Sequence, residues 1–190
     1  MIDDAEFIRG KVPMTKQEIR VLTMAKARLQ ASDVAVDVGA GTGSLSIEAA
    51  RLCKKVYAIE RNADAIALIK QNVEKFAVDN VEIIQSIAPR GLELIDRIDA
   101  ALIGGSGGFL TDILNAVDER LTINGRIVLN CITIQSVSTA LDWLHAHENY
   151  SYDAILVQIN RLERVGRVDM AKALNPVYIV SAVKGGFKNV

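Results

Sequence analysis

The chain has little of what would tie it to a metal, a membrane or a polyanion. Only two cysteines occur in its 190 residues, Cys53 and Cys131. They lie far apart with no Cys or His at metal-ligand spacing, so both read as buried core thiols. The two histidines, His145 and His147, stand two apart on an expected helix and face different ways, which excludes a metal pair. Neither sign of charge is in excess. With 22 basic against 23 acidic residues the net charge is −1, and no overall field attracts DNA or RNA. No basic stretch followed by an apolar run opens the chain, and no run approaches the ~20 apolar residues of a membrane span, so the cytoplasm is the expected location. Repeats, linkers and low-complexity segments are absent.

What is present is an ordinary folding composition, half apolar and 24% charged. It predicts one domain over residues 1–190, with 1–30 as an N-terminal helical segment covering the site. Val34-Ala-Val-Asp-Val38 is a short apolar run ending at glycine, the mark of a strand buried on both faces of a parallel sheet. Helical spacing follows over 44–54, then a strand over 56–60, a helix over 63–76 and a strand over 81–85. The alternation continues with a strand over 98–103, a helix over 109–121, an Asn124-Gly125 turn, a strand over 126–131 and a helix over 134–148. This rhythm predicts right-handed βαβ units. Residues 152–159 and 177–183 are also strand-like, while the polar stretch between them carries no convincing helix. The expected fold is therefore α/β, a doubly wound, mostly parallel seven-stranded sheet finished by one antiparallel C-terminal strand.

After the first strand the chain reads Gly39-Ala40-Gly41-Thr42-Gly43-Ser44, a turn whose missing side chains let backbone approach a ligand closely. Glu60 ends the second strand twenty-one residues beyond Gly39, where a carboxylate can accept both ribose hydroxyls of an adenosine. A dinucleotide fingerprint would need glycine where Ser44 stands, which tilts against an NAD(P)-dependent oxidoreductase. The run instead resembles the first motif of class I S-adenosylmethionine methyltransferases, which implies S-adenosyl-L-methionine as cofactor. Asp37 either caps the turn or meets the cofactor's amino group. By the same resemblance Ser86 and Ala88, after the third strand, are adenine neighbours. Ile87 stands between them where an acid is common, so backbone groups would make that contact.

Gly104-Gly105-Ser106-Gly107-Gly108 follows the fourth strand at its carboxyl end, where open α/β sheets place ligands, and leaves room for a flat, bulky substrate. A flexible connection is the other reading. The Asn or Asp followed by Pro-Pro and an aromatic, common in enzymes that methylate base amines, is missing there, which argues against a nucleic-acid substrate. Arg161, Arg164 and Arg167 share a stretch with Glu163. They suit either carboxylate binding or a solvated loop or subunit contact.

Val12-Pro-Met-Thr-Lys-Gln-Glu-Ile-Arg20, Asp37 to Gly43, Tyr57-Ala-Ile-Glu-Arg61, Ala88-Pro89 and Gly104 to Gly108 together resemble the decarboxylating cobalt-precorrin-6B carbon-15 methyltransferases of cobalamin biosynthesis. The likeness runs over nearly the whole chain. It implies methylation of carbon 15 of the corrin macrocycle coupled to loss of carbon dioxide from the carbon-12 acetate. It also implies a tetrapyrrole substrate, a homotetramer, a separate carbon-5 methyltransferase subunit, and Thr15 near the cofactor. No catalytic side chain is forced by this chemistry, and none is named. A methyltransferase of another small molecule or protein, and a non-catalytic cofactor-binding subunit, are the competing classes.

Overall fold

A computed structural model describes residues 1–185; the last five residues of the expected domain lie outside it. The chain runs α1 (Gln17–Ala27), β1 (Val34–Val38), α2 (Ser44–Ala50), β2 (Lys55–Glu60), α3 (Ala63–Lys75), β3 (Val81–Gln85), β4 (Ile98–Ile103), α4 (Leu110–Asp118), β5 (Leu121–Cys131), α5 (Ile134–Ala146), β6 (Tyr150–Val157), β7 (Asn160–Val165), β8 (Val168–Ala173) and β9 (Val177–Lys184). Seven strands form one sheet in the order β3-β2-β1-β4-β5-β9-β6, parallel throughout except for β9. Class I methyltransferases share this architecture. The order turns outward from β1 in both directions, so the carboxyl ends of β1 and β4 flank the switch point where such sheets hold ligands.

Every residue of β4 is buried, as its apolar run, broken only by Asp99, requires of a strand covered on both faces. On one face Ala35, Leu102 and Val128 pack beneath α1 and α2. On the other Val36, Ile103 and Leu129 meet α4 and α5, where Trp143 also donates its indole N–H to Asn115 at 2.7 Å. His147 stacks on Trp143 and bonds its carbonyl, and His145 meets the Tyr152 hydroxyl, so both imidazoles are engaged locally.

Beyond shifts of two or three residues at the ends of α4, α5 and β6, four features differ from the pattern. Helix α2 stops at Ala50 rather than 54, because the Asn80 amide reaches the carbonyls of Ala50 and Cys53 and holds the chain in a turn. Strand β5 starts at Leu121, five residues early, and absorbs Asn124 (φ 64°) and Gly125 as an irregularity in its pairing with β4. Residues 160–173 are a β-hairpin, closed at Val165 and Val168 across Gly166-Arg167. The N-terminal segment is helical only at Asp4–Glu6 and in α1; residues 7–16 form an irregular strap.

Two buried polar side chains fasten that strap. Arg20, fully buried, donates to Asp4 and to the carbonyls of Thr15 and Ile2 at 2.6–2.7 Å, with its guanidinium over the Phe7 ring. Asn72, also fully buried, accepts the Ile8 N–H at 2.9 Å and donates to the carbonyls of Ile8 and Thr42 at 2.8 and 2.9 Å, tying strap to glycine turn. Asn72→Ala is expected to lower stability by about 2 kcal/mol, since it leaves the buried Thr42 carbonyl without its donor and frees the strap at Ile8. Urea unfolding checks this; a loss within the error of a surface substitution would mean the strap is not bound there.

Candidate functional site

The turn between β1 and α2 is built on three glycines with positive φ, Gly39 (73°), Gly41 (57°) and Gly43 (77°), a region that disfavours L side chains. The N–H groups of Gly39 and Ala40 donate to the Ile59 carbonyl of β2 at 2.9 and 3.2 Å, and Gly43 closes the turn onto Ala40 at 2.8 Å. From the other side, Gly104 and Gly105 donate to the Val38 carbonyl at 3.0 and 3.3 Å. A Cβ on Gly39 would lie 2.7 Å from the Gly105 oxygen. The backbone of Gly105 therefore packs directly against Gly39, which has no room for a side chain. A Cβ on Gly107 (φ 57°) would lie 3.6 Å from Arg61 Nη1, and one on Gly108 (φ 93°) would meet nothing within 4 Å.

Two cavities meet over this turn. The larger, about 770 Å³, runs from the strap across Asp37, Gly39–Thr42 and Glu60 to the ends of β5 and β9. Thr15 is in its wall, its carbonyl held by Arg20. The smaller, about 220 Å³, lies between Glu60, Ser86, Ala88 and the Gly105–Gly107 loop. The structure thus gathers every residue expected at the cofactor into one crevice except Gly43, whose would-be Cβ points 3.1 Å from Ile69 under α3.

Glu60 is half-buried and well anchored. One carboxylate oxygen accepts the Gly41 N–H at 2.9 Å; the other accepts the N–H groups of Arg61 and Asn62 at 2.8 and 2.9 Å. The first of these oxygens, with one bond accepted, keeps a lone pair for a ligand's hydroxyl. Asp37 is buried and takes the Ser46 hydroxyl at 2.6 Å on one oxygen, while its other oxygen has no partner. Burial pushes its carboxyl up to about 6, against the Ser46 bonds, with the nearby Glu60 charge adding to the rise. Thr42 also buries a hydroxyl without a partner. Unsatisfied buried polar atoms beside a cleft are what a polar ligand would complete.

Arg161 and Arg164 stand apart from this crevice. Both lie on the exposed β7–β8 hairpin, where Arg161 pairs with Glu18 of α1 at 2.5 Å and Arg164 reaches no farther than the Gly166 carbonyl. The cleft also holds residues to which the sequence reading gave no role, Asn130 and Arg61 among them. Asn130, at the end of β5 beside Thr23, is a polar residue inside an apolar strand run, and that was its signal. Arg61 directly follows Glu60 and lines both cavities. Among the described residues no cluster of His, Cys, Asp and Glu could hold a metal ion, and no helix is long and apolar enough to cross a membrane.

The profile of the precorrin methyltransferase domain matches residues 6–184. The chain belongs to that family. A relative from Sulfurisphaera tokodaii, named "probable cobalt-precorrin-6B C(15)-methyltransferase (decarboxylating)", is 42% identical over 188 residues, 96% of this chain and 97% of its own. The Salmonella typhimurium cobalt-precorrin-6B C(15)-methyltransferase (decarboxylating) is 36% identical over 95% of both chains. Among solved structures, the precorrin-6Y C5,15-methyltransferase of Geobacter metallireducens superposes with a TM-score of 0.91 at 40% identity, covering 97% of this chain and 98% of that one.

Proposed function

We propose that this chain methylates carbon 15 of a (cobalt-)precorrin-6B macrocycle from S-adenosyl-L-methionine and removes carbon dioxide from the carbon-12 acetate, in cobalamin biosynthesis. The observation that carries the reading is the crevice over Gly39–Thr42 in a chain that matches carbon-15 methyltransferases along nearly its whole length. The residues fit the cofactor. Glu60 offers an anchored carboxylate oxygen to a ribose, the Ser86–Ala88 backbone borders a space for adenine, and Asp37 presents an unpaired buried oxygen suited to an amino group. Bound there, the cofactor supplies an electrophilic methyl group on sulfur.

The protein's own task is then mainly placement. Holding an electron-rich ring carbon in line with that methyl can remove about 7–11 kcal/mol of barrier without a strong acid or base. Thr15 and the strap close one side and the Gly104–Gly108 loop the other, which keeps water from the reacting atoms. Gly107 and Gly108 leave the flat space a macrocycle needs. Decarboxylation breaks the bond between the acetate methylene and its carboxyl carbon; the electron pair passes into the conjugated ring, and the methylene later takes a proton from water. Incubating the pure protein with methyl-labelled cofactor and precorrin-6B is expected to give a product with one added methyl and one carbon dioxide lost. An unchanged macrocycle, with turnover on another acceptor, would overturn the reading.

Asp37 makes binding pH-dependent. Its folded pKa, about 6, lies above the ordinary 3.8, so between those values the folded state holds a proton that the unfolded chain has lost. Stability contributed by this group therefore falls as pH rises through that window. Cofactor binding runs the other way, because an ammonium group favours the carboxylate. Affinity for S-adenosylhomocysteine is expected to weaken about tenfold from pH 7 to pH 5, and Asp37→Asn to flatten the dependence. A profile as steep in Asp37→Asn would remove Asp37 from the contact.

Assembly follows the same reading. The homotetramer and a separate carbon-5 subunit are expectations of the family resemblance, and the cytoplasmic location is an expectation of the sequence. The β7–β8 hairpin, with Leu162, Val165, Val168 and Met170 all exposed, is the apolar surface that supports association of copies.

A further inference from the structure

The substrate proposed above carries many acetate and propionate groups, and the arginines expected to receive them lie outside the crevice. We propose that Arg61 is the substrate-orienting residue, its guanidinium taking a peripheral carboxylate of the macrocycle. The inference rests on that functional reading and names the charge that selects the substrate.

Three observations converge on this side chain. Arg61 leaves the end of β2 and lines both cavities, so it stands where they meet. Its Nη1 lies 3.6 Å from where a Gly107 Cβ would be, which stretches the guanidinium from β2 toward the loop after β4. The missing side chains at Gly107 and Gly108 leave the approach to it open. Third, it has no acidic partner within ion-pair distance among the described residues, although Asp64 and Glu60 are close in sequence. By contrast Arg20, Arg97, Arg120, Arg126 and Arg161 are each paired with a carboxylate.

The Glu60 carboxylate, adjacent in sequence, is turned onto the amides of Gly41, Arg61 and Asn62. Arg61 therefore offers its planar fork to whatever enters over the glycine loop, and such a fork suits a carboxylate in two-point contact. Lys11 on the strap, also in the cleft wall and without an acidic partner among the described residues, adds positive charge at the mouth. Lys16 is the weaker contributor, because it already faces Asp4 at 4.0 Å. One unpaired guanidinium at the junction fixes which edge of a polyanionic ring faces the methyl donor.

The test compares Arg61→Gln and Arg61→Lys with the unaltered enzyme. Arg61→Gln is expected to raise the KM for precorrin-6B about tenfold, the loss of one charge-assisted contact, while the dissociation constant for S-adenosylhomocysteine stays within about twofold. Arg61→Lys should recover part of the loss. A corrin polyacid should compete with substrate in the unaltered enzyme, and its methyl ester should compete poorly there and equally poorly in Arg61→Gln. Weakened S-adenosylhomocysteine binding with an unchanged macrocycle KM would overturn the proposal by placing Arg61 over the cofactor. An ester that loses as much as the acid on substitution, or no change in either ligand, would also overturn it. If the unaltered enzyme fails to turn over precorrin-6B, the functional reading falls first.

Discussion

Gly39→Ala is expected to eliminate measurable S-adenosylhomocysteine binding and to lower stability by roughly 2–5 kcal/mol, the sum of a left-handed backbone penalty and an overpacking penalty. Its φ of 73° disfavours any L side chain. The methyl would also stand 2.7 Å from the Gly105 oxygen and 2.9 Å from its Cα and N, all backbone atoms that cannot swing aside. Relief requires the β1 turn and the β4 loop to separate, which breaks the Gly104 and Gly105 bonds to the Val38 carbonyl and deforms the crevice floor. Gly166→Ala is the matched control. It has a φ of 63° and nothing within 4 Å of the new methyl, so it reports the backbone penalty alone. Thermal or urea unfolding gives both costs and calorimetry gives the binding. If Gly39→Ala costs no more than Gly166→Ala and still binds, the two loops do not meet as described.

That contact also shows where sequence reading stops. The β1 run and the fully buried β4 were legible because strands covered on both faces are apolar at nearly every position, each of these two broken by a single aspartate, Asp37 and Asp99. The spacing from Gly39 to Glu60 was legible because both lie within one βαβ unit. What Gly104 and Gly105 do was not, since it depends on two strand ends sixty-five residues apart in sequence. The β7–β8 hairpin escaped for a different reason. All its residues are exposed, so no alternation of burial marked it, and only the two-residue Gly166-Arg167 link between Val165 and Val168 hinted at a turn. Arg161 and Arg164, which cluster in sequence, lie on this hairpin away from the two cavities, while the arginine that lines both is Arg61, beside Glu60.

The same neighbour relationship governs the second large effect. Glu60→Ala is expected to weaken S-adenosylhomocysteine roughly tenfold to a hundredfold, because the ribose loses a charged acceptor worth about 1.5–3 kcal/mol. The fold should lose only about 1 kcal/mol, since the Arg61 and Asn62 amides freed by the change are exposed and can turn to water. Glu60→Gln is not a mild alternative. Both carboxylate oxygens accept backbone N–H groups, from Gly41 on one side and from Arg61 and Asn62 on the other. Whichever way the amide turns, its NH₂ meets a donor, so the side chain must leave its seat or the turn must open. Glu60→Gln should therefore bind S-adenosylhomocysteine nearly as poorly as Glu60→Ala. Calorimetry on the two variants decides the point, because a glutamine that binds as tightly as glutamate would show that neither the charge nor the three amide contacts positions the ribose.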